Sequence, residues 1–399
     1  MTHLDPIVPK ALPANANIAL ISPSSRINNL VPDALARSIN LLTSLGYRVT
    51  TFFFNDGEDA DVVVANGKSI AASIANRLGE LRAAFSDPSF DAVLCTVGGP
   101  TMTELIPSLV EDAELHRLVR ENPKILIGYS DITVLHWSLR ALTGLRTFYG
   151  PCSVSELGEA ATSTPESLAS FASRNAAPET AASRRTDDEY LQDFHLVSLL
   201  AALSRPQPLG TVPRSKFYAP IVPPYFLSAI SAMAPRNPRL LLPSPAWKWL
   251  RPGRAEGRLF GGCLTVVARI QGIPRITPDW KGRILFLESA MAEGELSKGN
   301  PLGKVRQAVA DIAAHGVFDE IAGLVIGRPY GYDTERARAE YAAVFRGLLC
   351  CGRLAEHQFP ILMNVDIGHT APMVTLPMDS LALLDSDRDE FAITEAAVI

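Results

Sequence analysis

Residues 124–133 read KILIGYSDIT, and they are followed by a helical pattern, VLHWSLRAL. The apolar run Ile125-Leu126-Ile127 predicts a buried strand, and Gly128 ends it. Ser130 and Asp131 then stand where a strand turns into a helix. Both residue types cap helices, because their side-chain oxygens accept the unpaired N–H groups of a first turn. The same stretch also fits a nucleophile elbow: strand, glycine, any residue, serine, helix. The second glycine usual after such a serine is replaced by Ile132. On these ten residues both readings stand.

Strand and helix patterns alternate around the stretch from Asn15 to about Gly150. NIALISPSS and DAVLCTV read as strands ending in turn residues, the latter at Gly98-Gly99, and YRVTTFFF is rich in β-formers. DALARSINLLTSLGY and SIAASIANRLGELRAAFSD have helical spacing. TELIPSLVEDAELHRLVREN is helical with an internal proline that predicts a break. Such alternation predicts a parallel sheet covered on both faces, with ligands outside the carboxyl ends of its strands. Residues 158–190 are rich in Ala, Ser and Thr and read as a linker or surface excursion. The predicted layout is an N-terminal α/β domain over 1–157 and a mixed α/β domain over 191–399.

The chain has 399 residues, 47% of them hydrophobic and 20% charged, which suits a globular protein with a sizeable core. A net charge of −5 gives no footprint for nucleic acid. No apolar run reaches membrane-span length and no secretory signal is visible at the start. Cys95, Cys152, Cys263, Cys350 and Cys351 form neither a CxxC nor a zinc-spaced cluster, so all five are expected reduced, in a cytoplasmic protein without a metal or other cofactor. Gly67-Lys68-Ser69 mimics the end of a phosphate loop, but Val62 stands where its first glycine belongs. No GxGxxG follows the first strand, and no HExxH occurs.

A serine nucleophile needs a base, itself oriented by a third group. Among seven histidines, His136 is six residues beyond Ser130 on the same helix and points away from it. His369 in NVDIGHTAP follows an apolar strand, behind a glycine and before a proline loop. Glu288 ends the apolar run of GRILFLE, where a buried carboxylate needs a partner and an exposed one does not. Gly98-Gly99 is either a tight turn or a place where backbone N–H groups approach an oxyanion.

ISPSS, DAVLCTVGG, NPKILIGYSDITVLH, TFYGP, GRLFGGCLTVVARIQG, GRILFLE and DIGHTAPMVTLPM occur in that order. Together they resemble the LD-carboxypeptidase family of serine peptidases, from about residue 15 to 385 and most weakly over 160–240. The resemblance implies a flavodoxin-like N-terminal domain, a mixed C-terminal domain, and an active site between them. It implies Ser130 as nucleophile, Glu288 and His369 as its partners, and Gly99 and Asp131 as the oxyanion hole. It further implies hydrolysis of an amide next to a free carboxylate in a small peptide or peptide conjugate, no metal, and a homodimer. Val97 stands where murein enzymes of the family carry Arg, and Cys263 where they carry Asn. With TFYGP, these departures bring the chain closer to the microcin C self-immunity branch, whose substrates are peptidyl- or aminoacyl-nucleotides. The expected substrate contacts are Gly98, Cys263, and Trp247 and Trp249 of PSPAWKWLRPG. An alternative from another class is a catalytically inactive binding module on the same fold.

Overall fold

In a computed structural model, which describes residues 4–54, 67–159, 168–169, 187–227 and 239–399, Ile125–Gly128 is a fully buried strand. It lies in a six-stranded sheet ordered Arg48–Phe52, Asn17–Ile21, Ala92–Cys95, Ile125–Gly128, Phe148–Tyr149, Leu376–Pro377. The first five strands are parallel, in the flavodoxin order 2-1-3-4-5. The short sixth strand comes from the far end of the chain and pairs antiparallel with Phe148–Tyr149. Strand order reverses between Asn17–Ile21 and Ala92–Cys95, so the loops at Ser22–Ser25 and Gly98–Gly99 flank the crevice that opens there.

The helices Pro32–Ser44 and Gly67–Ser86 follow the predicted patterns. The phosphate-loop mimic begins the second of them, and Val62 lies outside the described residues. The break predicted at Pro107 falls elsewhere. Pro107 sits in the first turn of the helix Ile106–Glu111, where its missing N–H has no helical partner to lose. The chain breaks instead at Asp112, whose carboxylate caps the next helix by accepting from Leu115 N–H at 2.9 Å. Most of 158–190 lies outside the described residues. Its end departs from the linker reading, because the helix Asp187–Ser204 begins there and buries Tyr190, Leu191 and Phe194.

The second sheet has eight strands: Pro208–Thr211, Glu390–Ala396, Leu381–Asp385, Arg254–Cys263, Ile284–Glu288, Gly323–Gly327, Ile361–Val365, Lys248–Arg251. The four from Arg254–Cys263 to Ile361–Val365 run parallel. Three of them are buried along their whole length, which explains their nearly continuous apolar sequences. Their carboxyl ends deliver Cys263, Glu288 and the turn before His369 to one edge. One apolar cluster joins the two sheets, running from Val93 and Leu126 through Trp137 and Tyr149 to Phe260 and Phe286. The fold is thus two α/β sheets joined through a shared apolar core, with strand ends of both meeting at the seam.

Candidate active site

Ser130 is the only residue between Gly128 and the helix Thr133–Thr143 with a left-handed backbone, at φ +65°. A non-glycine residue there is strained, and such strain gathers at functional sites. Tyr129 before it is extended, and Ser130–Ile132 form a single 3₁₀ turn. The turn lifts the Ser130 side chain off the end of the sheet. Gly98 makes room for it: a Cβ on Gly98 would lie 2.7 Å from the Ser130 Cβ and 3.0 Å from its Oγ.

His369 Nε2 lies 2.9 Å from Ser130 Oγ, and its Nδ1 lies 2.7 Å from Glu288 Oε2. Serine comes from the first sheet, and histidine and glutamate from the second. Glu288 is 1% exposed, at the end of its strand, and Gly368 lets the His369 loop cross directly above its carboxylate. A Cβ on Gly368, at φ +89°, would lie 2.2 Å from Glu288 Oε2. The His369 ring meets Tyr129 edge-on at 5.0 Å between centroids, and the Tyr129 hydroxyl donates to Glu156 Oε1 at 2.8 Å. The imidazole is therefore held at both nitrogens and along one flank.

The proposed oxyanion donors lie beside the serine. The Asp131 N–H follows Ser130 directly, and a Cβ on Gly98 would lie 3.3 Å from that nitrogen. Gly99, at φ +147°, packs its backbone against Ser24 and Ser25. The Asp131 side chain is fully buried and ties three segments together. Its Oδ2 accepts from Ser24 Oγ at 2.7 Å and Met102 N–H at 2.8 Å, and its Oδ1 from Arg269 at 2.8 Å. Burial pulls this carboxyl up from its ordinary value, against those donors. The Asp131 side chain thus fixes the loop after Gly99 through Met102 N–H.

Cys263 ends its strand in register with Glu288. Its N–H donates to Thr133 Oγ1 at 3.1 Å, and that hydroxyl donates to Ser130 C=O at 2.6 Å. The thiol is buried beside Thr265, and burial pushes it far up from its ordinary value, so it is a small neutral group here. The two tryptophans differ in their surroundings. Trp247 is buried, with the Arg214 guanidinium 3.6 Å from its ring centroid and Phe391 tilted against it. Trp249 donates its indole N–H to Asp389 at 2.8 Å. Phe391 and Asp389 belong to the hairpin of Leu381–Asp385 and Glu390–Ala396, and Arg214 lies over the Trp247 ring, while Trp249 is half-buried.

Four other histidines, His116, His136, His195 and His357, have structural partners. His136 is enclosed between Thr147 Oγ1 and Gly128 C=O, and burial pushes it down to about 4. His195 accepts from Met373 N–H and is pushed down to about 3, first by burial and then by Arg239. His116 sits 2.7 Å from Leu109 C=O, and His357 3.5 Å from Asp319. All five cysteines are free thiols. Among the described residues, no three His, Cys, Asp or Glu side chains gather as a metal site would require. Tyr149, Tyr129, Arg269 and Ser24 belong to the site and were not named from the sequence. The available signal was positional: Tyr129 and Tyr149 are polar-tipped aromatics at the ends of two adjacent strands.

Comparison with known proteins identifies the family. Residues 18–150 match the LD-carboxypeptidase N-terminal domain and residues 256–384 the LD-carboxypeptidase C-terminal domain. The microcin C7 self-immunity protein MccF of Escherichia coli is 23% identical over 99% of this chain and 98% of its own. The murein tetrapeptide carboxypeptidase of Pseudomonas aeruginosa is 32% identical over 165 residues, 40% of this chain and 48% of its own. The structure of MccF in complex with glutamyl sulfamoyl guanosine superposes with a TM-score of 0.76 at 22% identity, covering 99% of this chain and all of that one. The chain belongs to the LD-carboxypeptidase family of serine peptidases.

Proposed function

We propose that Ser130, His369 and Glu288 carry out the family's hydrolysis in this chain. The observation that supports it is the unbroken hydrogen-bonded relay from Ser130 Oγ through both imidazole nitrogens to Glu288, built on a left-handed serine. Ser130 attacks the carbonyl carbon of the scissile amide while His369 Nε2 takes its proton. The tetrahedral oxyanion draws on the N–H groups of Gly99 and Asp131. His369 then gives the proton to the leaving amine, and the acyl-enzyme forms. A water, deprotonated by the same imidazole, releases the acid and restores Ser130. Glu288 keeps the imidazole in the productive tautomer and balances its charge when protonated.

The substrate class is an amide next to a free carboxylate, in a small peptide or peptide conjugate. A second reading, hydrolysis of acyl-nucleotide amides, is favoured by Val97 and Cys263 and by the full-length likeness to MccF. A panel that sets an LD-linked tetrapeptide against aminoacyl-sulfamoyl nucleosides separates the two. Turnover of the tetrapeptide alone supports the murein-type reading, and turnover of the nucleosides alone the immunity-type reading. A chain that binds either but hydrolyses neither, and resists a serine-directed phosphonate, is a binding module. The resemblance further supports a homodimer, which sedimentation would test, and the unpaired cysteines support a cytoplasmic location, which fractionation would test. Among the described residues, no helix is long and apolar enough to cross a membrane.

A further inference from the structure

Glu288 has two carboxylate oxygens, and His369 uses one. The other, Oε1, accepts from the Tyr149 hydroxyl at 2.6 Å. The same hydroxyl accepts from the Ser130 backbone N–H at 3.1 Å. A backbone N–H only donates and an ionised carboxylate only accepts, so the phenol's single proton goes to Glu288 and its lone pair to Ser130. Tyr149 is fully buried at the end of its strand, edge-on to Phe286 at 5.1 Å and to Tyr129 at 6.2 Å. One side chain of the first sheet therefore touches both the strained nucleophile's backbone and the carboxylate of the second sheet.

We propose that Tyr149 is a positioning residue of the reaction, acting through Glu288 on the basicity of His369 and through the Ser130 amide on the nucleophile's backbone. The inference rests on Ser130, His369 and Glu288 being the catalytic relay. A carboxylate that accepts a strong bond on each oxygen is fixed in rotation and shares its charge with two donors. Without the phenol, Glu288 would hold the proton on His369 more strongly. The elbow would also lose an acceptor that anchors its left-handed serine from outside the turn.

The titratable groups around the relay leave the imidazole to report on it. Tyr149, Cys263 and Tyr341 surround Glu288, and Tyr129, bonded to Glu156, lies against His369. Burial, the largest influence on each, pushes all three phenols and the thiol upward, so they stay protonated in the neutral range.

The test is Tyr149→Phe in the full chain, on whichever amide of the panel the wild type turns over. Active sites are counted by titration with a fluorophosphonate. The expected result is a kcat/KM lower by about 10- to 100-fold, the range of one hydrogen bond to a charged group. The loss should fall on kcat, with KM nearly unchanged, and the acid limb of the kcat/KM profile should move to higher pH. Replacement of Tyr149 by 3-fluorotyrosine, a stronger donor of nearly the same shape, should move that limb to lower pH. A wild-type rate and profile in Tyr149→Phe would overturn the inference. So would a loss matched by fewer titratable sites with the limb in place, which is what packing alone produces. Ser130→Ala separates the two levels. If it keeps turnover, the relay reading itself fails. If it is inactive while Tyr149→Phe is as fast as wild type, only the role of Tyr149 falls.

Discussion

The two halves of the site are held by different means. The nucleophile half is set mostly by backbone: Ser130 takes its position from a strand end and a left-handed φ, which are local, and from the bare flank of Gly98 and the Tyr149 hydroxyl, which are not. The base half is set by side chains that meet across 81 residues, with the His369 loop laid over Glu288. A strained turn can be written in six consecutive residues, whereas a carboxylate–imidazole pair needs two strands brought to one edge. The first kind of half is therefore legible in a short motif, and the second only in a fold.

If the halves form one machine, their losses must not add. Ser130→Ala and His369→Ala should each lower kcat by at least about 1,000-fold, and the double variant should be scarcely worse than either. Losses that multiply in the double variant would break the unit apart.

Glycine substitutions probe each half without touching a reacting group. Gly98→Ala drives a methyl to 2.7 Å from the Ser130 Cβ, and Gly368→Ala drives one to 2.2 Å from Glu288 Oε2. A displacement of about 1 Å at a reacting group is enough to cost about 100-fold in rate, and each variant should lose on that scale. A fully active Gly98→Ala would refute the steric account of the nucleophile half. A fully active Gly368→Ala would do the same for the base half.

The bond between Arg269 and Asp131 crosses the seam, but the Arg269 side chain is 41% exposed. Water and salt screen such a pair to about 0–1 kcal/mol, so Arg269→Gln should lose no more than about 5-fold in kcat/KM. A 100-fold loss would show that the first sheet's loops depend on the second sheet more than the contrast allows.

The smallest effect is on stability, not rate, and it belongs to the nucleophile half. His136 is pushed down to about 4, so the unfolded chain, with an ordinary histidine, binds the extra proton first as pH falls. Stability should thus be level above about pH 6.5 and fall between there and about pH 4. Denaturation at several pH values should show a shallower fall for His136→Gln, because one proton no longer distinguishes the two states. An unchanged slope would mean that His136 is not held neutral.

The parallel sheet and the elbow were legible because each lies at the end of an apolar run, next to glycine or a helix start, whereas Glu288 and His369 stood out only as candidates and their pairing came from the family resemblance. Tyr149 was not legible, although TFYGP was conspicuous: its partners Ser130 and Glu288 are 19 and 139 residues away, and no periodicity encodes that meeting. The tryptophans stood out for the opposite reason. Two large aromatics in a proline-rich stretch look like a ligand surface, and the contacts of Trp247 with Arg214 and Phe391 could not be read from that stretch. The break at Asp112 went unread because proline is a stronger sequence mark than an aspartate cap, yet harmless in a first turn.

The antiparallel pairing of Leu376–Pro377 with Phe148–Tyr149 has a consequence for the order of assembly. A nascent chain that has emerged as far as Tyr149 already contains Ser130, but the outer edge of its sheet is still open. That edge closes only with residues made after His369. Translation must therefore run through the four parallel strands of the second sheet, from Arg254–Cys263 to Ile361–Val365, before the first sheet is complete. With Ser130 as the proposed nucleophile, a peptidase built this way has its serine early and its competence late, so unfinished chains on the ribosome carry that serine without the partners proposed to activate it.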